Sequence, residues 1–259
     1  MHQFQMLYSE SFANIRSQIR LVATDMDGTL TQAGKFTPQL LAHLQRLQGA
    51  GMPVVIVTGR SAGWVSGLLN YLPVAGAIAE NGSLYFSQPE ADPAVLVSIP
   101  SVADHRQSLQ AMFEVLQEQY PHLQPAADNA YRITDWTFTV AGLTQSQIDA
   151  CAATCREAGW DFTYSNVQCH IKPRLDKAEG LLQVLRQYFP QVLLEQVITV
   201  GDSPNDESLF NRQVFAHSVG VANILHYQER LQHFPAYVTQ QEEALGFGEL
   251  CQLLLPDAL

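Results

Sequence analysis

The densest chemistry in the sequence lies in Asp25-Met26-Asp27-Gly28-Thr29. Alternate side chains of an extended chain share one side, so Asp25 and Asp27 can face a common pocket. Carboxylates held that close repel unless a proton or a cation joins them, and hard oxygen donors suit Mg²⁺. Gly28 lets the chain leave a strand sharply. The same letters could open a calcium loop, but Ala33 stands at the ninth loop position and Phe36 at the twelfth, where Glu is needed. A second acidic run is Gly201-Asp202-Ser203-Pro204-Asn205-Asp206. Asp202 ends an apolar segment there, and Asp206 follows about one helical turn later. Asp25, Asp202 and a backbone carbonyl could hold a divalent ion, with Asp206 or water completing an octahedron. Alone, Asp202 or Ser203 could equally be a helix cap.

These residues need a scaffold that brings them together. Short β-branched runs recur at Leu21–Asp25, Val54–Thr58, Ala77–Glu80 and Val197–Asp202, each ending in polar residues or glycine. Helical patterns lie between and after them, over Pro38–Ala50, Ala62–Tyr71, Asp176–Phe189 and Asn205–Asn211. The first has Thr37 to cap it, Pro38 at the first position, and Leu40, Leu41, Leu44 and Leu47 on one face. Near-continuous apolar strands alternating with helices predict a parallel sheet covered on both faces. Ligands gather at the carboxyl ends of such strands, where Asp25, Asp27, Thr58 and Asp202 converge.

Residues 88–172 follow another pattern. The stretch Gln88-Pro89-Glu90-Ala91-Asp92-Pro93 reads as a linker. Beyond it come a helix near Asp104–Tyr120, a strand near Tyr131–Val140, and a helix over Gln145–Ala158 capped by Thr144. Strands near Trp160–Tyr164 and Val167–Lys172 close the region, which reads as a small α+β insert. The expected division is an extension over 1–20, an α/β core over 21–87 and 173–259, and the insert over 88–172.

Composition narrows the function classes. The 259 residues carry 14 Lys plus Arg against 25 Asp plus Glu, a formal charge of −11, which disfavours nucleic acid as a partner. With 47% apolar residues the chain can bury a large core. Four cysteines are too few for a disulfide scaffold, and no CxxC, HxH or HExxH pattern marks a thiolate or histidine metal site. The first 20 residues lack the pattern of a secretory signal, and no apolar run reaches membrane-spanning length, so a cytoplasmic protein with no membrane partner is expected.

In order and spacing, four segments resemble the motifs of the haloacid dehalogenase superfamily of phosphohydrolases. They are Asp25-Met26-Asp27-Gly28-Thr29, Thr58-Gly59-Arg60, Lys177, and Gly201-Asp202-Ser203-Pro204-Asn205-Asp206. The insert, together with Glu80-Asn81-Gly82, is similar to the subgroup with a type 2B cap, subfamily IIB, which contains sugar-phosphate phosphatases and phosphomannomutases. The resemblance runs from about Leu21 to the end of the chain, although the insert itself matches weakly. Ala178 stands where the family usually has glycine after its lysine, and Lys172 is a second candidate for that role.

The resemblance implies an α/β fold with a Rossmann-like parallel-sheet core and an inserted cap. It further implies Mg²⁺-dependent hydrolysis of a small phosphate ester, notably a sugar phosphate. Asp25 would be the nucleophile, forming an aspartyl-phosphate, and Asp27 the general acid and then base. Asp25, Asp202, Asp206 and the Asp27 carbonyl would hold the metal, and Lys177 would pair Asp25 with the phosphate. Thr58, Gly59, Arg60, Asn81 and Asn205 would contact substrate, Asn205 alternatively orienting Lys177. Within the insert, Arg132, Trp136, His170, Lys172 and Arg174 are polar or aromatic candidates, but Trp136 and His170 fit packing at least as well. The alternatives are a phosphomutase of the same superfamily and a non-catalytic phosphate-binding or signalling module. A signalling receiver domain fits less well, having no insert and its phosphorylated Asp on a middle strand. Oligomeric state is left open.

Overall fold

The computed structural model describes residues 5–88, 92–165 and 167–255, so Pro89, Glu90 and Ala91 of the expected linker lie outside the described residues. The strands are β1 (Gln5–Met6), β2 (Leu21–Thr24), β3 (Val54–Val57), β4 (Gly76–Ala79), β5 (Leu84–Phe86), β6 (Ala94–Val95), β7 (Trp136–Thr139), β8 (Asp161–Tyr164), β9 (Gln168–Lys172), β10 (Val197–Gly201), β11 (His217–Gly220) and β12 (Tyr237–Val238). The α-helices are α1 (Glu10–Ile15), α2 (Pro38–Gly49), α3 (Ala62–Leu68), α4 (Val102–Gln119), α5 (Gln145–Glu157), α6 (Lys177–Tyr188) and α7 (Glu243–Leu254).

Nine strands form one sheet in the order β1-β12-β11-β10-β2-β3-β4-β5-β6. It is parallel from β1 to β4, and β5 and β6 add antiparallel at one edge. Every residue of β2, β3, β4 and β10 is buried, because helices cover both faces. Alternation along β2 shows the two layers. Val22 packs with residues of α1, α2, α3 and α7, whereas Leu21 and Ala23 face α6. α2 starts as the sequence predicts, with the Leu40 amide donating to Thr37 Oγ1, and buries Leu40, Leu44 and Leu47; Leu41 is exposed. The segment 1–20, read from the sequence as an extension, contributes β1 to the sheet and buries Leu7, Phe12 and Ile19 in the same core.

Between β6 and α6 stands a separate antiparallel sheet, β7-β9-β8, backed by α4 and α5. Its own core includes Leu109, Phe113, Phe138 and Ile171, with Cys151, Cys155 and Cys169 as buried free thiols. Thr144 and Gln147 cap α5 reciprocally. The strand expected from Tyr131 starts only at Trp136. The reason is a long-range contact: the amides of Ile133, Thr134 and Asp135 donate to the Glu80 carboxylate and not to a neighbouring strand. Among the described residues, no helix is long and apolar enough to cross a membrane.

Candidate active site

The chain passes from β2 to β3 and β4 on one side, while β10, β11 and β12 lie on the other. The crevice outside the ends of β2 and β10 is therefore a topological switch point. Asp25 is the first residue past β2, and its amide donates to Val200 of β10 at 2.9 Å, which fixes the two strand ends side by side. Lys177 is the first residue of α6, whose start is capped by Asp176 and Glu179. A cation opposes the dipole there, but Lys177 Nζ turns inward and donates to Asp25 Oδ1 and Asp206 Oδ1, each at 2.6 Å. The other oxygen of Asp206 accepts the Asp202 amide at 2.9 Å and the Ser203 amide at 3.3 Å. The helix expected over Asn205–Asn211 is wound as a 3₁₀ helix over Pro204–Phe210.

Gly28 carries a φ of 84°, and a Cβ there would meet Asp202 Oδ2 at 2.6 Å, so only glycine lets the two acidic loops approach. A second close approach lets α6 reach the site. A Cβ on Gly180 would lie 2.3 Å from the Gly82 carbonyl oxygen, so the helix seats directly on the 80–82 turn. It is Gly180, three residues past Lys177, that gives this closeness, and Ala178 is buried beside it.

Asp25, Asp202 and Asp206 place carboxylate oxygens within 4.8 Å of one another, all buried. Among the described residues only Lys177 is ion-paired with them, so three carboxylates against one ammonium leave two negative charges uncompensated when all are ionised. Burial and then the Asp206 charge push the Asp25 carboxyl up to about 7. Burial and the Asp25 charge likewise hold Asp202 well above the carboxylate range. Burial pulls on Lys177 in the opposite direction, but Asp206 and Asp25 outweigh it and keep the ammonium charged. This all-oxygen, doubly negative cluster fits a divalent cation.

A cavity of about 400 Å³ opens above the cluster, lined by Asp25, Asp27, Thr58, Gly59, Arg60, Asp202 and Asn205. Thr58 is buried at the end of β3, and its Oγ1 accepts the Arg60 amide at 3.2 Å. Arg60 does not point at open space. Its Nε and Nη2 donate to Asp27 at 2.8 and 2.6 Å, and its guanidinium lies over Trp64. Asn205 accepts from Ser203 Oγ at 2.6 Å; the partner that orients Lys177 is Asp206. Asn81 is buried outside the walls of this cavity. Its left-handed turn (φ 57°) aims the chain back under α6, and its amide donates to the Thr58 carbonyl at 3.0 Å. Lys172 is committed to Asp161 and the Leu175 carbonyl, both at 2.6 Å, so of the two lysines it is Lys177 that meets the acidic cluster.

Asn223, Ser165, Val167 and Gln168 escaped sequence reasoning here, whereas Arg132 and His170 were among the candidates of the insert. Asn223 donates to Asp202 Oδ2 at 2.9 Å and to the Gly28 carbonyl at 3.1 Å, and Thr29 Oγ1 donates to Asp202 at 3.4 Å. Asn223 follows β11, and the run His217-Ser218-Val219-Gly220 was the signal for one more strand end at this edge. From the small sheet, Ser165, Val167, Gln168 and His170 close the cavity. Its floor at Gly59 is tied to that sheet, since Arg132 Nη1 donates to the Gly59 carbonyl at 3.0 Å.

A family model for haloacid dehalogenase-like hydrolases matches residues 22–99. Phosphoglycolate phosphatase 1 of Saccharolobus solfataricus is 28% identical over 92% of this chain and 96% of its own. Over residues 22–99 the chain is similar to the haloacid dehalogenase-like hydrolases. Its likeness to phosphatases over nearly its whole length supports a phosphoric monoester hydrolase. Solved structures agree in architecture. A Thermoplasma acidophilum protein superposes with a TM-score of 0.72 at 19% identity, covering 91% of this chain and 98% of that one. The C-terminal domain of trehalose-6-phosphate phosphatase from C. albicans gives 0.71 at 16% identity, covering 97% and 98%.

Proposed function

We propose that this haloacid dehalogenase-like enzyme is a Mg²⁺-dependent phosphatase acting on a small phosphorylated metabolite, a sugar phosphate, through an aspartyl-phosphate intermediate. The observation that carries the reading is the buried Asp25–Asp202–Asp206 cluster with Lys177, set beneath a cavity of about 400 Å³. Asp25, Asp202 and the Asp27 carbonyl would hold the ion, with Asp206 beside them; Asp206 already spends its oxygens on Lys177 and the Asp202 loop. When bound, Mg²⁺ supplies charge neutralisation between an anionic nucleophile and an anionic phosphate.

The protein's own groups carry the steps. An Asp25 oxygen attacks phosphorus, and the ester oxygen leaves with the bonding pair. Asp27 donates the proton that this oxygen needs, which requires Arg60 to release at least one Asp27 oxygen from its fork. Asp27 then takes a proton from water as the water attacks the acyl phosphate, freeing orthophosphate and restoring Asp25. Lys177 and the Thr58–Gly59 loop face the phosphoryl oxygens. In this reading residues 88–172 act as a cap that excludes water and touches the leaving group.

The test is orthophosphate release by the purified chain with Mg²⁺ across hexose phosphates, trehalose 6-phosphate and 2-phosphoglycolate. Release stoichiometric with alcohol, abolished by EDTA and restored by Mg²⁺, supports the proposal. Transfer of the phosphoryl group to another hydroxyl without orthophosphate would make the enzyme a phosphomutase instead. EDTA-resistant turnover would remove the metal from the mechanism.

A further inference from the structure

Above Gly59, one cavity side chain is held by a buried relay that the steps above leave unused. His170, at the centre of β9, is 4% exposed and lines the cavity together with Gln168. Its Nδ1 lies 2.8 Å from Asp135 Oδ2. Asp135 is fully buried, and Arg132 Nη1 donates to both its oxygens at 2.8 and 3.0 Å. Burial alone would favour the neutral acid, but the Arg132 charge and the hydrogen bonds from His170 and Arg132 together outweigh it and favour the carboxylate. An ionised carboxylate only accepts, so the proton in this contact sits on Nδ1.

The same contact fixes the other ring nitrogen. Burial, ahead of the opposing pull of Asp135, lowers the His170 pKa, so the ring is neutral. A neutral imidazole protonated at Nδ1 keeps a lone pair at Nε2. Nε2 makes no hydrogen bond to any described residue, and it is not one of the buried atoms lacking a partner. The neighbouring amide agrees with this tautomer. Asn81 Oδ1 is buried without a partner while Nδ2 sits 3.2 Å from Nδ1, and turning the amide over presents Oδ1 to the Nδ1 proton.

We infer that His170 is a specificity-determining residue whose Nε2 accepts a hydrogen bond from a leaving-group hydroxyl, favouring polyol or sugar esters over esters that carry a carboxylate at that place. A hydroxyl brings the hydrogen that the lone pair needs; a carboxylate brings a second acceptor and a charge. Asp135, Arg132 and Glu80 act through His170 as positioning residues, since the Glu80 carboxylate also binds the Asp135 amide. The inference rests on the phosphatase reading above.

The test uses the full chain with Mg²⁺ and has two arms. Histidine-selective ¹⁵N NMR of the wild type near neutral pH is expected to show His170 as the neutral Nδ1–H tautomer. An imidazolium or an Nε2–H tautomer overturns the inference. In the second arm, His170→Asn keeps a donor near the Nδ1 position and deletes Nε2. The ratio of kcat/KM for a hexose phosphate to that for 2-phosphoglycolate is expected to fall about tenfold, or about 1.4 kcal/mol. Equal losses on both substrates would mark a structural role and overturn it. A wild type that prefers 2-phosphoglycolate overturns the inference while leaving the hydrolase chemistry standing. Release from no ester defeats the phosphatase reading, and the inference with it.

Discussion

Two buried acidic regions lie on either side of the Thr58–Gly59 loop, and they are built on opposite principles. At the strand ends, Asp25, Asp202 and Asp206 crowd around a single lysine, and their charge is left unbalanced. Behind the loop, Glu80 is just as buried, yet its two oxygens accept the amides of Ala62, Ile133, Thr134 and Asp135 and the Thr134 hydroxyl. Asp135 beside it is matched by Arg132. Burial of an acid is therefore no guide to its role. The count of donors is: where it closes, the carboxylate clamps two parts of the fold together; where it falls short, the uncompensated charge fits a divalent cation.

The largest expected effect is on turnover. Asp25→Asn should lower phosphate release more than about a thousandfold, because an amide is a poor nucleophile. The same change relieves like-charge crowding, so the melting temperature without metal should hold or rise. Near-normal release in this variant would end the covalent mechanism. At the other region the effect should fall on stability: Glu80→Ala strands several buried donors and is expected to cost about 3 kcal/mol in urea unfolding. A cost below about 1 kcal/mol would mean that Glu80 is not a clamp.

The pH dependence should separate the regions next. The folded-state pKa of Asp25 is raised to about 7. A raised carboxyl favours the fold below its unfolded pKa, and that contribution is lost as pH climbs toward about 7. Metal-free protein should therefore lose stability across this window, and Mg²⁺ should raise the melting temperature more above it than below it. An Mg²⁺ shift independent of pH would contradict the charge deficit. The smallest effect should come from Arg60→Ala. Its ion pair with Asp27 is roughly half exposed, so stability should change by less than about 1 kcal/mol, read by the same unfolding assay.

The parallel sheet was legible because its strands are continuous apolar runs with polar tips, a pattern that needs no partner to be recognised. Lys177 was legible only through resemblance, and geometry then showed what holds it: Asp206 rather than Asn205. Asn223 was missed because β11 is built of His217, Ser218, Val219 and Gly220, with one β-branched residue among them, which weakens a strand signal. Glu80, Arg132, Asp135 and His170 could not be read as a unit. Their contacts span 35 to 55 positions along the chain for the pairs His170–Asp135 and Glu80–Asp135, and no local pattern encodes such a pairing.

Local chemistry in the sequence determined the order of strands and helices, the caps of α2 and α5, and the four polar strand tips, because each depends on neighbours within a few residues. Tertiary structure alone decided which acids share a lysine, which receive backbone donors, and which wall of the insert meets the cavity. Those outcomes turn on distances of a few ångströms between remote segments, and burial multiplies the energetic consequence of every donor present or missing.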